Sequence, residues 1–355
     1  MRFRRLILFL LALKVASAAS FDCVKARTPQ EKAICASPEL GAIDDKMAAS
    51  YRTLLSQVPS DLASGIRDSQ RDWIRSMSTA CPATPYYPSA PEITMCLENY
   101  ENDRFAALEH MVLHQNGVTF VWRSITLTAS ATTPPADESR PDGAGTLNAS
   151  WPQAATMNPA WVAWNKALEA AVRTMAAASD APSDGKWHAD WASDEDIDIA
   201  TSVDLVRDNL VTATIDDNWY GHGAAHPNEA SMQFNWLLKE RRELKPEDVF
   251  RAGSNWVKIL LAFCDKDLHE KLDADLGQSY ELFSPPGEMQ KTLQSIVTKP
   301  ANWHLDSSGI TVIWQKYAVA CYACTPEPTN IPWNTLKPYL NSTFVVPRNE
   351  LTAHQ

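Results

Sequence analysis

After the first 18 residues, no stretch approaches 18 consecutive apolar positions, which leaves no room for a membrane-spanning helix. The catalytic signatures that a sequence can carry openly are also missing. There is no Gly-x-Ser-x-Gly nucleophile elbow, no phosphate-cradling glycine loop and no Gly-x-Gly-x-x-Gly dinucleotide fingerprint. Carboxylates are plentiful, but at no spacing diagnostic of paired acid–base work. Positive charge is the scarcer sign, with 32 Lys and Arg against 43 Asp and Glu and a net charge of −11. Nucleic acid is therefore a poor partner, because phosphates need cations. A basic protein is a better one, since opposite potentials steer association.

The sequence does carry an export signal. Arg2, Arg4 and Arg5 form a basic start, Leu6 to Ala12 an apolar core too short to span a bilayer, and Ala16-Ser17-Ala18 a small-residue cleavage site. Residues 1–18 hold four basic residues and no acids, so their removal shifts the net charge from −11 to −15. Cys23 follows Phe21-Asp22, not a cleaved bond, so a lipid anchor is not expected. The expected location is periplasmic or secreted, with no stable membrane insertion.

An oxidising compartment makes the seven cysteines disulfide candidates. Cys23, Cys35, Cys81 and Cys96 lie early; Cys264, Cys321 and Cys324 lie late. Four cysteines allow three pairings, and locality favours Cys23–Cys35 and Cys81–Cys96. Cys321 and Cys324 pair with one another or with Cys264, and an odd count leaves one thiol over.

The fold class is α+β, in two domains. Residues 19–115 read as a small all-α unit stapled by disulfides. Thr28-Pro29-Gln30-Glu31 is a capping box, and Leu40, Ile43, Met47, Tyr51, Leu54 and Leu55 make one apolar stripe. Two more helices carry Trp73 and Leu97, separated by a proline-rich loop from Pro82 to Pro91. Residues 116–350 read as a sheet domain covered by helices, with strands near 118–127, 197–205, 210–215 and 232–238. A hairpin follows around Asp306 to Gly309, and residues 129–159 read as a loop or linker.

Between two of those strands lies Asn218-Trp219-Tyr220-Gly221-His222-Gly223-Ala224-Ala225-His226-Pro227-Asn228. His222 and His226 have the spacing of a helical metal pair, but Gly221, Gly223 and Pro227 forbid a helix and the glutamate of a zinc-protease motif is absent. A conformationally demanding turn is the reading adopted. No metal, no cofactor and no catalytic residue is expected. A docking role is assigned to the exposed Trp219, Tyr220 and His222, together with Asp194, Glu195 and Asp196 from an acidic run that also includes Asp190 and Asp198. Residues 116–355 hold 30 acids against 19 bases, so most of the acidity sits in this domain.

Two resemblances give these parts a function. Phe21-Asp22-Cys23, Glu31 to Cys35, Pro38-Glu39-Leu40 with Asp44, Gln70-Arg71-Asp72-Trp73, and Cys96-Leu97 before Tyr100 and Arg104 together resemble the LprI family, whose namesake is an exported lysozyme inhibitor. Gly223 to Asn228, Leu244 to Phe250, Gly309-Ile310, Tyr317 to Ala323 and Leu336 to Leu340 are similar to the RsiV-like extracellular domain, found in a lysozyme-binding anti-sigma factor. Lys239 to Arg242 replaces that family's hairpin turn, and Cys321 and Cys324 stand at positions where it has other residues. The resemblances imply an exported, non-enzymatic protein that binds a lysozyme-type basic muramidase and blocks it sterically. The alternative is a peptidoglycan- or glycan-binding module of the cell envelope.

Overall fold

The computed structural model describes residues 19–83, 92–129, 145–178, 193–276 and 287–347; the side chains of residue 61 and of 273–276 are not described. The expected export signal therefore lies outside the described residues, as do Asp190 and most of the proline-rich loop.

Among the described residues, four α-helices come first: α1 (Pro29–Ala36), α2 (Pro38–Gln57), α3 (Ser60–Ala80) and α4 (Ile93–Glu109). The capping box forms as read, with Thr28 accepting from the Glu31 amide and the Glu31 carboxylate accepting from the Thr28 amide. That carboxylate is held below its usual range by the backbone amides of Thr28 and Arg27. Disulfides Cys23–Cys35 and Cys81–Cys96 tie down the two ends of the unit. A unit of this size buries too little surface to dispense with such staples.

A seven-stranded sheet follows, with its strands side by side in chain order: β1 (Val112–Gln115), β2 (Val118–Thr128), β3 (Thr146–Ala154), β4 (Glu195–Arg207), β5 (Leu210–Gly221), β6 (Asn228–Leu237) and β7 (Arg242–Glu243). All neighbours are antiparallel except β3 and β4, which run parallel and need a crossover. Helix α5 (Pro159–Ala178) lies in that crossover and lays Trp161, Trp164, Leu168 and Val172 on one face of the sheet. Asn158 caps it, accepting from the Ala160 amide. Phe120, Trp161 and Trp164 meet edge to face there, and Trp151 is fully buried beside them.

Two boundaries differ from the sequence reading. Residues 146–154, inside the expected linker, form a strand in mid-sheet. Leu147, Ala149 and Trp151 alternate inward, but Ala, Ser and Pro disguise a strand because they have little intrinsic β preference. The boundary near 115 is likewise crossed, because β1 belongs to the sheet. Its pairing with β2 turns on Asn116 and Gly117, both at positive φ. The helices and the sheet share one core, in which Met47, Leu54, Ile66 and Trp73 pack with Val121 of β2.

The remainder is a second layer: α6 (Pro246–Val249), α7 (Trp256–Leu276), α8 (Glu288–Val297), a three-stranded sheet of β8 (Trp303–Leu305), β9 (Gly309–Val312) and β10 (Thr329–Pro332), and α9 (Trp333–Leu336). The expected hairpin is β8–β9. Its Asp306 carboxylate accepts from the Ser308 and Gly309 amides. Asn235 of β6 donates to the Pro300 and Trp303 carbonyls and so joins this layer to the main sheet.

Candidate docking site

The histidine-bearing turn is the hairpin between β5 and β6, whose last paired residues are Trp219 and Asn228. Gly223 has φ +84, a left-handed conformation that favours glycine. Gly221 does not adopt positive φ. Gly223, Ala224 and Ala225 are the exposed tip. Tyr220 steadies it by donating from its hydroxyl to the Ala224 carbonyl at 3.1 Å.

The two histidines diverge. His222 turns towards β4: its amide donates to the Asp194 carbonyl and its Nε2 meets Asp196 Oδ2 at 3.0 Å. The other oxygen of Asp196 accepts from both the amide and the hydroxyl of Thr146. His226 turns the opposite way, with Nδ1 on the Pro227 carbonyl and its ring stacked 4.1 Å from Tyr322. Tyr317, 59% exposed, reaches His226 Nε2 at 3.4 Å. Lys316 lies over the Tyr322 ring, 4.8 Å from its centroid, and pairs with Glu229. The disulfide Cys321–Cys324 closes the short turn that carries Tyr322. Among the described residues, no three His, Cys, Asp or Glu side chains are grouped as metal ligands.

The structure thus brings Asp194, Glu195, Asp196, Tyr220 and His222 together at one end of the sheet, because Glu195 and Asp196 of β4 pair with Gly221 and Tyr220 of β5. It does not present them all as free contact groups. Trp219 packs against the sheet–α5 core, since it lies opposite Ile197 on the buried face. The His222 side chain is 8% exposed and bonded to Asp196, so it orients the hairpin. The expectation that Trp219, Tyr220 and His222 are exposed is corrected: all three are partly buried. Sequence reading did not assign a role to Lys316, Tyr317 or Tyr322. They lie nearly 100 residues downstream, and only the fold puts them beside His226.

A second concavity lies where the helical unit meets the sheet. This groove of about 660 Å³ is lined by Tyr100 and Arg104 of α4, Trp122 and Ser124 of β2, Asn148 and Ser150 of β3, and Asp198 of β4. Asp198 stays exposed on its rim, and partial desolvation by the groove wall pushes that carboxyl upward. Arg104 is almost fully buried, and its guanidinium donates to Gln70, Ser69 and Ser124, all neutral. Desolvation lowers it to about 10.

Residues 23–108 match the family described as lysozyme inhibitor LprI. That segment contains α1 to α3 and all but the last residue of α4, with both early disulfides and the α4 wall of the groove. Residues 247–334 match a second family, described only as a protein of unknown function, DUF3298. This segment covers α7 to β10 and includes Tyr317 and Tyr322, in line with the RsiV-like resemblance of the second domain. The hairpin tip lies between the two matched segments. Among solved structures, a DUF3298 family member from Bacteroides fragilis is similar at 21% identity, covering 64% of this chain and 94% of that one, with a TM-score of 0.43. A DUF3298 family protein from Pseudomonas aeruginosa is similar at 14% identity, covering 66% and 98%, with a TM-score of 0.45. No curated protein matches the chain. Among the described residues, no helix is long and apolar enough to cross a membrane.

Proposed function

We propose that this is an exported, non-enzymatic protein that binds a lysozyme-type basic muramidase and limits its action by occupying the enzyme's cleft. The observation that carries the reading is the match of residues 23–108 to the lysozyme inhibitor family. Its support elsewhere is physical. A hairpin tip of small residues, held from behind by Tyr220 and His222, can enter a cleft with little rearrangement. Pre-organisation of this kind reduces the entropy lost on binding. Asp194, Glu195 and Asp196 on one flank and the aromatic patch of Tyr317 and Tyr322 on the other supply charge and contact area. An acidic surface would speed the encounter with a basic enzyme, more so at low salt.

The test is a cell-wall lysis assay in which purified protein is titrated against hen-type and goose-type lysozymes. Protection at micromolar concentration or below, lost on shortening the Gly223–Ala225 tip, is the expected result. No binding and no protection at micromolar concentration ends the reading.

A glycan-binding envelope module is the second reading, favoured by the groove between Tyr100, Trp122, Asn148, Ser150 and Asp198. Retention on purified cell walls that survives raised salt would point to it, because sugar contacts are screened far less than docking to a cationic enzyme.

A further inference from the structure

Two carboxylic acids lie inside the helical unit, and among the described residues no cation pairs with them. Asp44, on α2, is 5% exposed, and Glu101, on α4, is fully buried. Among the described residues, neither oxygen of the Glu101 carboxyl has a hydrogen-bond partner. Burial, reinforced by the nearby Asp44 charge, pushes Glu101 up to about 8. No salt bridge among the described residues involves either acid. Arg104, three residues beyond Glu101 on the same helix, has its guanidinium engaged by Gln70, Ser69 and Ser124. An arrangement of this kind costs stability unless something positive enters it.

The chain start lies beside it. Leu40 and Asp44 are four residues apart on α2, and Leu97 and Glu101 are four apart on α4, so each acid sits one turn from a core leucine on the same face. Those leucines, with Ile34 and Cys81, form the small core on which Ala19 and Phe21 pack. The Ser20 amide donates to Asp44 Oδ2 at 2.6 Å. The Ala19 nitrogen is one residue away, within about 3.6 Å of the Ser20 nitrogen. Ala19 is also the residue that follows the Ala16-Ser17-Ala18 cleavage site.

We propose that removal of residues 1–18 creates a buried ion pair, in which the new α-ammonium of Ala19 docks against Asp44 and Glu101 and locks the helical unit in its mature form. The covalent step is hydrolysis by a signal peptidase. The oxygen of water joins the Ala18 carbonyl carbon, the Ala18–Ala19 amide bond breaks, and the departing peptide keeps a carboxylate. The Ala19 nitrogen takes up protons to become an ammonium. Before cleavage that nitrogen offers one neutral N–H; afterwards it offers three donors and a positive charge to Asp44, which holds the Ser20 amide, and to Glu101, which has no partner among the described residues. Among the described residues no cation pairs with these two carboxyls before cleavage, and cleavage supplies one beside them.

The experiment uses the full mature chain with its disulfides formed. Intact-mass analysis of exported protein should give Ala19 as the first residue. The pKa of the Ala19 α-amine, read by ¹⁵N NMR, should lie a unit or more above the ordinary value of about 7.7–8.0, and Glu101→Gln should bring it back towards that value. Independently, chain acetylated on the α-amine should melt below the free-amine form at neutral pH, and that gap should narrow in the Glu101→Gln background. A different first residue, an ordinary α-amine pKa, or equal melting of the acetylated and free forms each overturns the proposal. So does stabilisation of the free-amine form by added calcium, which would make the acids a metal site.

Discussion

Loss of the Cys81–Cys96 disulfide tests the idea that covalent staples hold the helical unit together. The bridge spans a sequence separation of 15, with its Cα atoms 5.6 Å apart. Closing a loop of that length removes enough denatured-state entropy to stabilise the fold by about 3 kcal/mol. The Cys321–Cys324 bridge spans a separation of only 3, and the same relation gives about 1.6 kcal/mol. The comparison is between two double variants, Cys81→Ala with Cys96→Ala, and Cys321→Ala with Cys324→Ala. Alanine suits the early pair because Cys81 is fully buried in the core with Ile34, Leu40 and Leu97. The Cys81 carbonyl also accepts from Gln30 Nε2 of α1 at 2.9 Å, so slack at this point reaches a second helix. At about 2–4 °C per kcal/mol, the first variant should melt roughly 6–12 °C below the parent and the second roughly 3–6 °C below. Scanning calorimetry under non-reducing conditions measures both. Equal shifts, or a larger loss from the Cys321–Cys324 variant, would refute the loop-closure reasoning.

Cys264 is fully buried on α7 and burial raises its thiol to about 12, so iodoacetamide at pH 8 should leave it unmodified in folded protein and alkylate it in denaturant, as read by peptide mass. In α-N-acetylated protein, Glu101 titrates at about 8 when folded against 4.5 as its ordinary value. The folded state then holds the extra proton between those values, so stability should fall as pH rises from about 4.5 to about 8, by at most about 5 kcal/mol. Glu101→Gln should flatten that slope in urea titrations. A Cβ on Gly145 would lie 2.3 Å from the Glu195 carbonyl oxygen, so Gly145→Ala should cost about 1–3 kcal/mol of stability and weaken any lysozyme protection in the lysis assay. Trp219→Ala should destabilise by about 3–5 kcal/mol because it empties a core position, whereas Tyr220→Phe should leave the melting temperature within about 2 °C of the parent while loosening the tip.

The helical unit was the more legible half. Its apolar stripe, its capping box and its cysteine spacing are all local signals, and local signals survive in a single sequence. The sheet was read in part. β4, β5 and β6 announce themselves through alternation, whereas β3 does not, because Ala149, Ser150 and Pro152 look like loop residues until the strand is seen between β2 and β4. The docking site was legible only as pieces. Acidic run and glycine turn stand out separately in sequence, and the antiparallel register of β4 on β5 is what places Asp196 against His222. The inward turn of Trp219 follows from which face of the sheet α5 covers, and no residue near 219 encodes that.

The two family matches lie at opposite ends of the chain, and the sheet between them decides how they can act together. β2 carries Val121 into the core of the helical unit, while β6 carries Asn235 into hydrogen bonds with the second layer. The strands between are paired without interruption from β1 to β7. A rigid frame of this kind fixes the distance from the groove at α4 to the hairpin tip at Gly223, and both lie along β4, through Asp198 and Asp196 respectively. A partner that engages both regions therefore meets a preset geometry and loses little conformational entropy to either. Substitutions that loosen the frame without touching either region, such as Trp151→Ala in the fully buried α5 interface, should then weaken such binding along with stability. If binding by the tip alone sufficed, affinity measured on the folded fraction would be unchanged.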